Sequence, residues 1–234
     1  MTQKLPRGVH GQTVEALASR ILSNEIGEGD TLDLPGLRRE LDVSLTALRE
    51  ALKVLAAKGM IDARQKRGTF VQPRTSWNLL DTDVMRWQTA ADSGHSLFDE
   101  LTEMRVIVEP AAARLAATRA TPAELTALSD ALDRMASARD LAATVTADLD
   151  FHRLLMAATH NVFLMQVERI IAIGLVERDK LVHGNSPDED PVPSHRAVFD
   201  AVAAHDADAA CAAMRALVDK SGEDLDRART ITPR

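Results

Sequence analysis

Apolar residues recur with a helical period along most of the chain. In VEALASRILSNEI, Val14, Leu17, Ile21 and Leu22 share a face, and Thr13 stands where an N-cap would, which predicts a helix over 13–24. Gly27, Gly29 and Asp30 break that pattern, and LPGLRRELDV, with Leu37 and Leu41 one turn apart, gives a short second helix. Val43-Ser44 is the next turn, with Ser44 as N-cap. The third helix, LTALREALKVLAAKG, is expected to bury Leu45, Leu48, Leu52 and Leu55 and to stop at a left-handed Gly59. MIDARQKRGTFVQP then alternates apolar and polar residues on either side of a basic KRG tip, the mark of a two-stranded hairpin. After Pro73 the pattern is helical again, over 79–91, 96–119, 122–138, 141–159, 161–182, 193–204 and 206–228. Thr121-Pro122-Ala123-Glu124 supplies an N-cap, a proline in the first turn and a Glu three residues after the cap. Within this stretch only 183–193, HGNSPDEDPVP, reads as an irregular loop.

Three helices followed by a hairpin is the order of a winged helix-turn-helix. The fold class is therefore mainly α, an N-terminal winged helix-turn-helix followed by an all-helical domain. The boundaries are drawn at 1–73 for the head, 74–92 for a linker and connecting helix, and 93–230 for the helical domain. At 234 residues, two domains fit better than one. Hydrophobic residues are 45% of the chain but aromatics only 3%, with no Tyr, so the cores must be built from Ala, Leu, Val, Ile and Met. Net charge divides sharply: residues 1–75 hold 12 Lys and Arg against 9 Asp and Glu, residues 76–234 hold 16 against 26. The first part is suited to a polyanion and the second is not. The single Cys211, expected as a small core residue, excludes an internal disulfide. MTQKLPRGVHGQT offers no apolar run for secretion, and no stretch reaches the roughly 20 apolar residues of a membrane span, so a cytoplasmic protein is expected.

No GxGxxG, Walker loop or CxxC occurs, and chemistry-bearing residues stand out instead as helical pairs. Asp148 and His152, four residues apart, stack a carboxylate and an imidazole on one face, a pair able to bind a divalent metal such as zinc, manganese or nickel. Arg105 and Glu109 form a second such pair, either a plain surface ion pair or an inward arginine, among Val106, Val108 and Leu115, that needs an anion. Asn161 and Arg178 are further pocket candidates, whereas His10, His95, His160, His183 and His205 read as solvent or packing residues.

The run VSLTALREALKVLAAKGMIDARQKRGTFVQPR resembles the GntR family of regulators. RVIVEPAAARLAA at 105–117, DLDFHRLLMAATHN at 148–161 and HRAVFDAV at 195–202 resemble, in order, the FCD-type effector domain of the FadR subfamily, an antiparallel helical bundle. The linker WNLLDTDV is similar to that of the galactonate-operon repressors.

The resemblance implies that helix 45–58 enters the major groove of DNA while the wing lies along the backbone. It makes Arg49 the choice for a guanine contact, with Thr46 beside it and Ser44 capping the helix and reaching a phosphate. Arg38, Arg39, Lys53, Arg64, Lys66 and Arg67 become phosphate contacts, and Gly68 and Thr69 let the wing approach the backbone. Leu45 departs from the family pattern, in which arginine is common; another residue takes over that contact, or Leu45 touches a thymine methyl.

In the second domain the resemblance adds His195 to Asp148 and His152 as a metal ligand, but the fourth-ligand position holds Leu217. The three residues either hold a metal completed by water or effector, or bond the effector directly. Arg105 and Glu109 would then anchor an effector carboxylate, such as that of a sugar acid. The implied whole is a homodimeric repressor of a catabolic operon on an inverted-repeat site, without membrane association. A metal-dependent enzyme built on the Asp148, His152, His195 cluster and an architectural DNA-binding protein are the alternatives.

Overall fold

The computed structural model describes residues 8–91, 96–185 and 190–231. They fall into two compact units, Met1–Ser93 and Gly94–Arg234, each with its own apolar core.

The first unit comprises α1 (Val9–Leu22), α2 (Leu34–Glu40), α3 (Leu45–Ala57), β1 (Ile61–Arg64), β2 (Gly68–Val71), a 3-10 turn at Arg74–Ser76 and α4 (Thr82–Ala91). Val14, Leu17 and Ile21 of α1 close on Leu48, Leu52 and Leu55 of α3. Two expectations need correcting. Thr13 is not an N-cap: α1 begins four residues earlier, and the buried Thr13 hydroxyl donates back to the Val9 carbonyl at 2.7 Å. A threonine can satisfy its hydroxyl this way inside a helix, so its cap propensity was a false start signal. Leu45 is not buried but 40% exposed, because the first turn of α3 projects beyond the core that its later leucines fill.

The hairpin is antiparallel with Ile61 opposite Val71 and Arg64 opposite Gly68. The far edge of β2 is also held: Leu32 N–H donates to the Thr69 carbonyl at 2.8 Å and Gly29 N–H to the Val71 carbonyl at 2.9 Å. The segment expected as a linker is packed onto the head. Trp77 and Trp87 join its core, Arg86 and the Trp87 indole both reach the Glu15 carboxylate at 2.7 Å, and Lys58 meets Asp81 at 2.6 Å and Asp83 at 2.9 Å. Burial alone would lower the Lys58 pKa, but the two aspartates outweigh it and keep the ammonium charged.

The second unit is a bundle of α5 (Ser96–Arg119), α6 (Pro122–Ala136), α7 (Leu141–Ala157), α8 (Val162–Asn185), α9 (Val192–Ala203) and α10 (Ala207–Ile231). Thr121 and Glu124 close the reciprocal capping box at the start of α6. The loop expected over 183–193 is shorter, since α8 continues to Asn185 and α9 starts at Val192; 186–189 and His95 lie outside the described residues. Pro110 lies inside α5, where it cannot donate to the carbonyl of Val106; Arg215 of α10 donates to that oxygen at 3.2 Å instead. Small residues, Ala112, Ala113, Ala116 and Ala117, form the buried face of α5, while Val106, Val108 and Leu115 are only half-buried. Cys211 is likewise half-buried rather than in the core.

Gly59 turns the chain out of α3 at a φ of 74°, and a β-carbon there would collide with the Ser76 carbonyl oxygen. Gly59→Ala should therefore destabilise the head by about 1–3 kcal/mol, measured by urea unfolding. An unchanged midpoint would contradict this account of the turn.

Candidate functional site

On the head, α3 separates cleanly into a buried stripe and an exposed one. Ser44 caps the helix, its hydroxyl accepting from Ala47 N–H at 3.1 Å. Leu45, Thr46, Arg49 and Lys53 are all exposed, and 45, 49 and 53 stand one turn apart on one side of the helix. Arg38 and Arg39 are exposed in the last turn of α2. Lys53 is not a free cation, since it pairs with Glu50 at 2.7 Å. Among the described residues Arg38, Arg39, Arg49 and Lys66 have no ion-pair partner.

The wing tip is shaped by two residues at positive φ, Lys66 at 69° and Gly68 at 83°. Between them the Arg67 guanidinium carbon lies over the Phe70 ring, 3.6 Å from its centre, and its Nη2 donates to the Gly29 carbonyl at 3.1 Å. Arg64 meets Asp62 at 3.3 Å and lies 5.4 Å from the same ring. Stacking and a backbone bond hold Arg67 in one orientation at the surface. Thr69 serves the strand, with its carbonyl accepting from Leu32.

In the helical unit, five residues singled out in the sequence meet in one buried chain of contacts. Arg105 and Glu109 of α5 are 3% and 1% exposed and pair at 2.6 Å, so the anion that Arg105 faces is Glu109, in the interior and not on the surface. Arg105 Nη1 also donates to Ser221 Oγ of α10 at 2.9 Å. Glu109 Oε2 lies 3.2 Å from His152 Nδ1 on α7. His152 Nε2 looks the other way, 3.9 Å from Asp148 Oδ2, and His195 Nε2 on α9 stands 2.9 Å from Asp148 Oδ1. His195 Nδ1 bonds to the Pro191 carbonyl at 2.8 Å. The two imidazoles meet edge to face, 5.4 Å apart.

Charge follows from this wiring. Burial would raise the Glu109 pKa, but Arg105 and His152 hold it down to about 2. Burial would lower that of His152, yet Glu109, with Asp148 beyond it, raises it above the ordinary value. The histidines hold the Asp148 carboxyl well below the usual carboxylate range despite its burial.

The donor set fits a divalent metal. Asp148, His152 and His195 each offer a ligand atom, and these atoms all lie within 4.8 Å of one another. His195 donates its Nδ1 proton to a carbonyl, which leaves the Nε2 lone pair for a cation. That Nε2 is buried and makes no hydrogen bond although an Asp148 oxygen stands 2.9 Å away, and the buried His152 Nδ1 likewise makes none. An imidazole lone pair and a carboxylate oxygen at 2.9 Å need positive charge between them, a proton or a metal. Leu217, at the position where the resemblance called for a further histidine, is 6% exposed and packed in the apolar core.

Two expected pocket residues are occupied otherwise. The Asn161 side chain caps α8, accepting from Phe163 N–H at 3.0 Å and Leu164 N–H at 3.4 Å. Arg178 Nη2 donates to the Ser221 carbonyl at 2.8 Å. Sequence reasoning missed Ser221, whose only signal was its place on the stripe of Met214, Val218 and Leu225. It also missed Glu168 of α8, a buried carboxyl whose pKa burial pushes up. Of the residues set aside, His160 meets Glu124 at 3.0 Å, His205 bonds to the Ala117 carbonyl at 2.8 Å and His10 is exposed.

Comparison with known proteins follows the same division. The family of bacterial regulatory proteins, gntR family, matches residues 10–71, and the FCD domain matches residues 100–220. The chain is 37% identical over 194 residues to the galactonate operon transcriptional repressor of Escherichia coli, covering 81% of this chain and 84% of that protein. It is 31% identical over 221 residues to the putative L-lactate dehydrogenase operon regulatory protein of the same organism, covering 91% and 84%. Among solved structures, that of Lar, which controls expression of the Listeria monocytogenes agr system, superposes with a TM-score of 0.63 at 17% identity, covering 94% of this chain and 98% of the other. That last likeness is one of fold.

Arg105→Met leaves the Glu109 carboxylate buried without its cation and should cost about 3–5 kcal/mol of stability near neutral pH. Glu109, held at about 2 against an ordinary 4.5, binds fewer protons folded than unfolded. Its contribution is complete above about pH 4.5 and is lost as the pH falls toward 2. Urea titrations across that window should show the gap between wild type and variant closing; a gap that stays constant would contradict the pairing.

Proposed function

We propose that this chain, which belongs to the GntR family of bacterial regulatory proteins and carries an FCD domain, is the repressor of a hydroxy-acid catabolic operon, released from DNA by a small carboxylate. That it is a DNA-binding transcription regulator follows from the family, and the relatives named above are themselves regulators. One is named for the galactonate operon and the other for the L-lactate dehydrogenase operon, and both galactonate and L-lactate are hydroxy acids, which supports that class of effector here.

In this reading the chain acts as a homodimer and places one α3 in each half of an inverted repeat. Arg49 reads a guanine edge, and Arg38, Arg39, Lys66 and the stacked Arg67 hold phosphates. Gly68 lets the wing tip close on the backbone.

The observation that carries the sensing half is the cluster of two buried histidines on the half-buried Asp148, with both Nε2 atoms turned to that carboxylate and one Nδ1 fixed by Pro191. Asp148, His152 and His195 would hold a divalent cation of the zinc, manganese or nickel type, which would supply a Lewis-acidic position for an oxygen ligand. With Leu217 in the fourth place, three protein ligands leave that position open to water or to an effector carboxylate and hydroxyl. Glu109, itself held by Arg105, sits behind His152 and keeps the ring turned toward the cluster. The pair thus positions a ligand instead of anchoring the effector itself. Effector binding would favour one arrangement of the sensor dimer and so alter DNA affinity.

Three measurements test this. Duplex affinity should fall about 10³–10⁵-fold between 50 and 200 mM salt if six to ten phosphates are neutralised per dimer. Arg67→Ala should weaken all sequences alike; a flat salt response, or a loss confined to one sequence, would contradict the phosphate role. Elemental analysis should find a transition metal bound to the purified protein, and Asp148→Asn should lower its affinity by more than about tenfold while leaving duplex binding nearly unchanged. Equal metal retention in both proteins would remove the cluster from the reading.

A further inference from the structure

We propose that Leu45 selects thymine, by packing its side chain on the 5-methyl group in the major groove. This rests on the DNA-binding reading above and adds to it a base that the head would read without a hydrogen bond.

Leu45 is the only large apolar side chain that α3 leaves exposed; the other leucines of the helix, Leu48, Leu52 and Leu55, are buried. Its side chain is 40% exposed at the leading end of the helix and is not part of the apolar core that Val14, Leu17 and Ile21 form with the later leucines. An exposed leucine on a helix otherwise presenting Thr46, Arg49 and Lys53 gains nothing from water. In the groove it gains a partner: the thymine methyl is the one apolar group on the major-groove edges of the four bases. Because Ser44 caps the helix with its hydroxyl, the first turn is fixed and Leu45 is held at the leading end.

The spacing sets where the thymine must be. Leu45 and Arg49 stand one turn apart on one side of α3, about 6 Å along the axis. At about 3.4 Å per base pair, the thymine touched by Leu45 lies within about two steps of the guanine touched by Arg49. Cytosine in its place has no methyl and offers a polar amino group, so the exposed leucine discriminates against it.

The test uses the full-length protein and a pool of random duplexes. The enriched sequence is resynthesised with deoxyuridine at each thymine in turn, which removes the methyl and leaves every hydrogen-bonding group. One position per half-site should then bind about three- to tenfold more weakly, and it should lie within two base pairs of the guanine whose contribution disappears in Arg49→Ala. Leu45→Ala, an exposed truncation expected to leave the melting temperature unchanged, should bind the thymine and uracil duplexes equally. Methyl dependence that persists in Leu45→Ala would assign the contact to another side chain, Thr46 first, and overturn the proposal. Absence of any methyl-dependent position would overturn it as well, while specific binding itself would still stand. Failure to enrich any duplex would instead sink the DNA-binding reading, and this inference with it.

Discussion

Two interior carboxylates, Glu109 fully buried and Asp148 half-buried, govern the helical unit. Glu109 and Asp148 sit where an unpaired charge would cost several kcal/mol, so every element around them must bring compensation. α5 supplies Arg105, α7 supplies His152, α9 supplies His195 and α10 supplies the Ser221 hydroxyl. Four helices are thus tied to one internal line of charge. An apolar core built mainly from alanine and leucine would tolerate small slips of one helix on another, whereas the ion pairs and bonds of this line do not. The same constraint creates the chemistry, because the carboxylate that needs positive charge is also the one that two imidazoles share.

The head solves the reverse problem, keeping cations outward. Arg38, Arg39, Arg49 and Lys66 lack an ion-pair partner among the described residues, while Lys53 and Arg64 are paired. α1 and the later leucines of α3 form the core, which leaves the leading turn of α3 projecting. The wing is stiffened from both sides, by β1 and by the strand-like pairing of Gly29 to Leu32 with β2. Phe70 then acts as a platform on which Arg67 lies. These contacts lower the freedom that Arg67 would lose on meeting a phosphate. Meanwhile α4 is bound to the head through Glu15, Asp81 and Asp83, so the segment following the wing moves with it.

Much of this was legible in the sequence, for identifiable reasons. Helical periodicity and the KRG turn gave the elements, and the Thr121–Glu124 box gave a start to within a residue, since those signals are local. The i, i+4 spacings placed Asp148 with His152 and Arg105 with Glu109 on their helices. Which way those faces turned was not legible, because burial depends on helices far apart in the chain. The Arg105–Glu109 pair therefore stood open between surface and interior. Ser221 and Glu168 carried no local mark at all, being polar residues on otherwise ordinary helices. Thr13 and Asn161 misled in opposite senses: one looked like a cap and is a helix-interior residue, the other looked like a pocket residue and is a cap. Short polar side chains serve either purpose, and only the surrounding backbone decides.

The central claim is that occupancy of the buried cluster sets the hold on DNA. The most direct measurement is fluorescence anisotropy of the full-length protein on its selected duplex during titration with sugar acids and lactate, with and without a chelator. The account predicts that at least one hydroxy acid releases the duplex, that chelation abolishes the release, and that Asp148→Asn binds the duplex yet no longer responds. Release that proceeds unchanged in the chelated protein and in Asp148→Asn would contradict it.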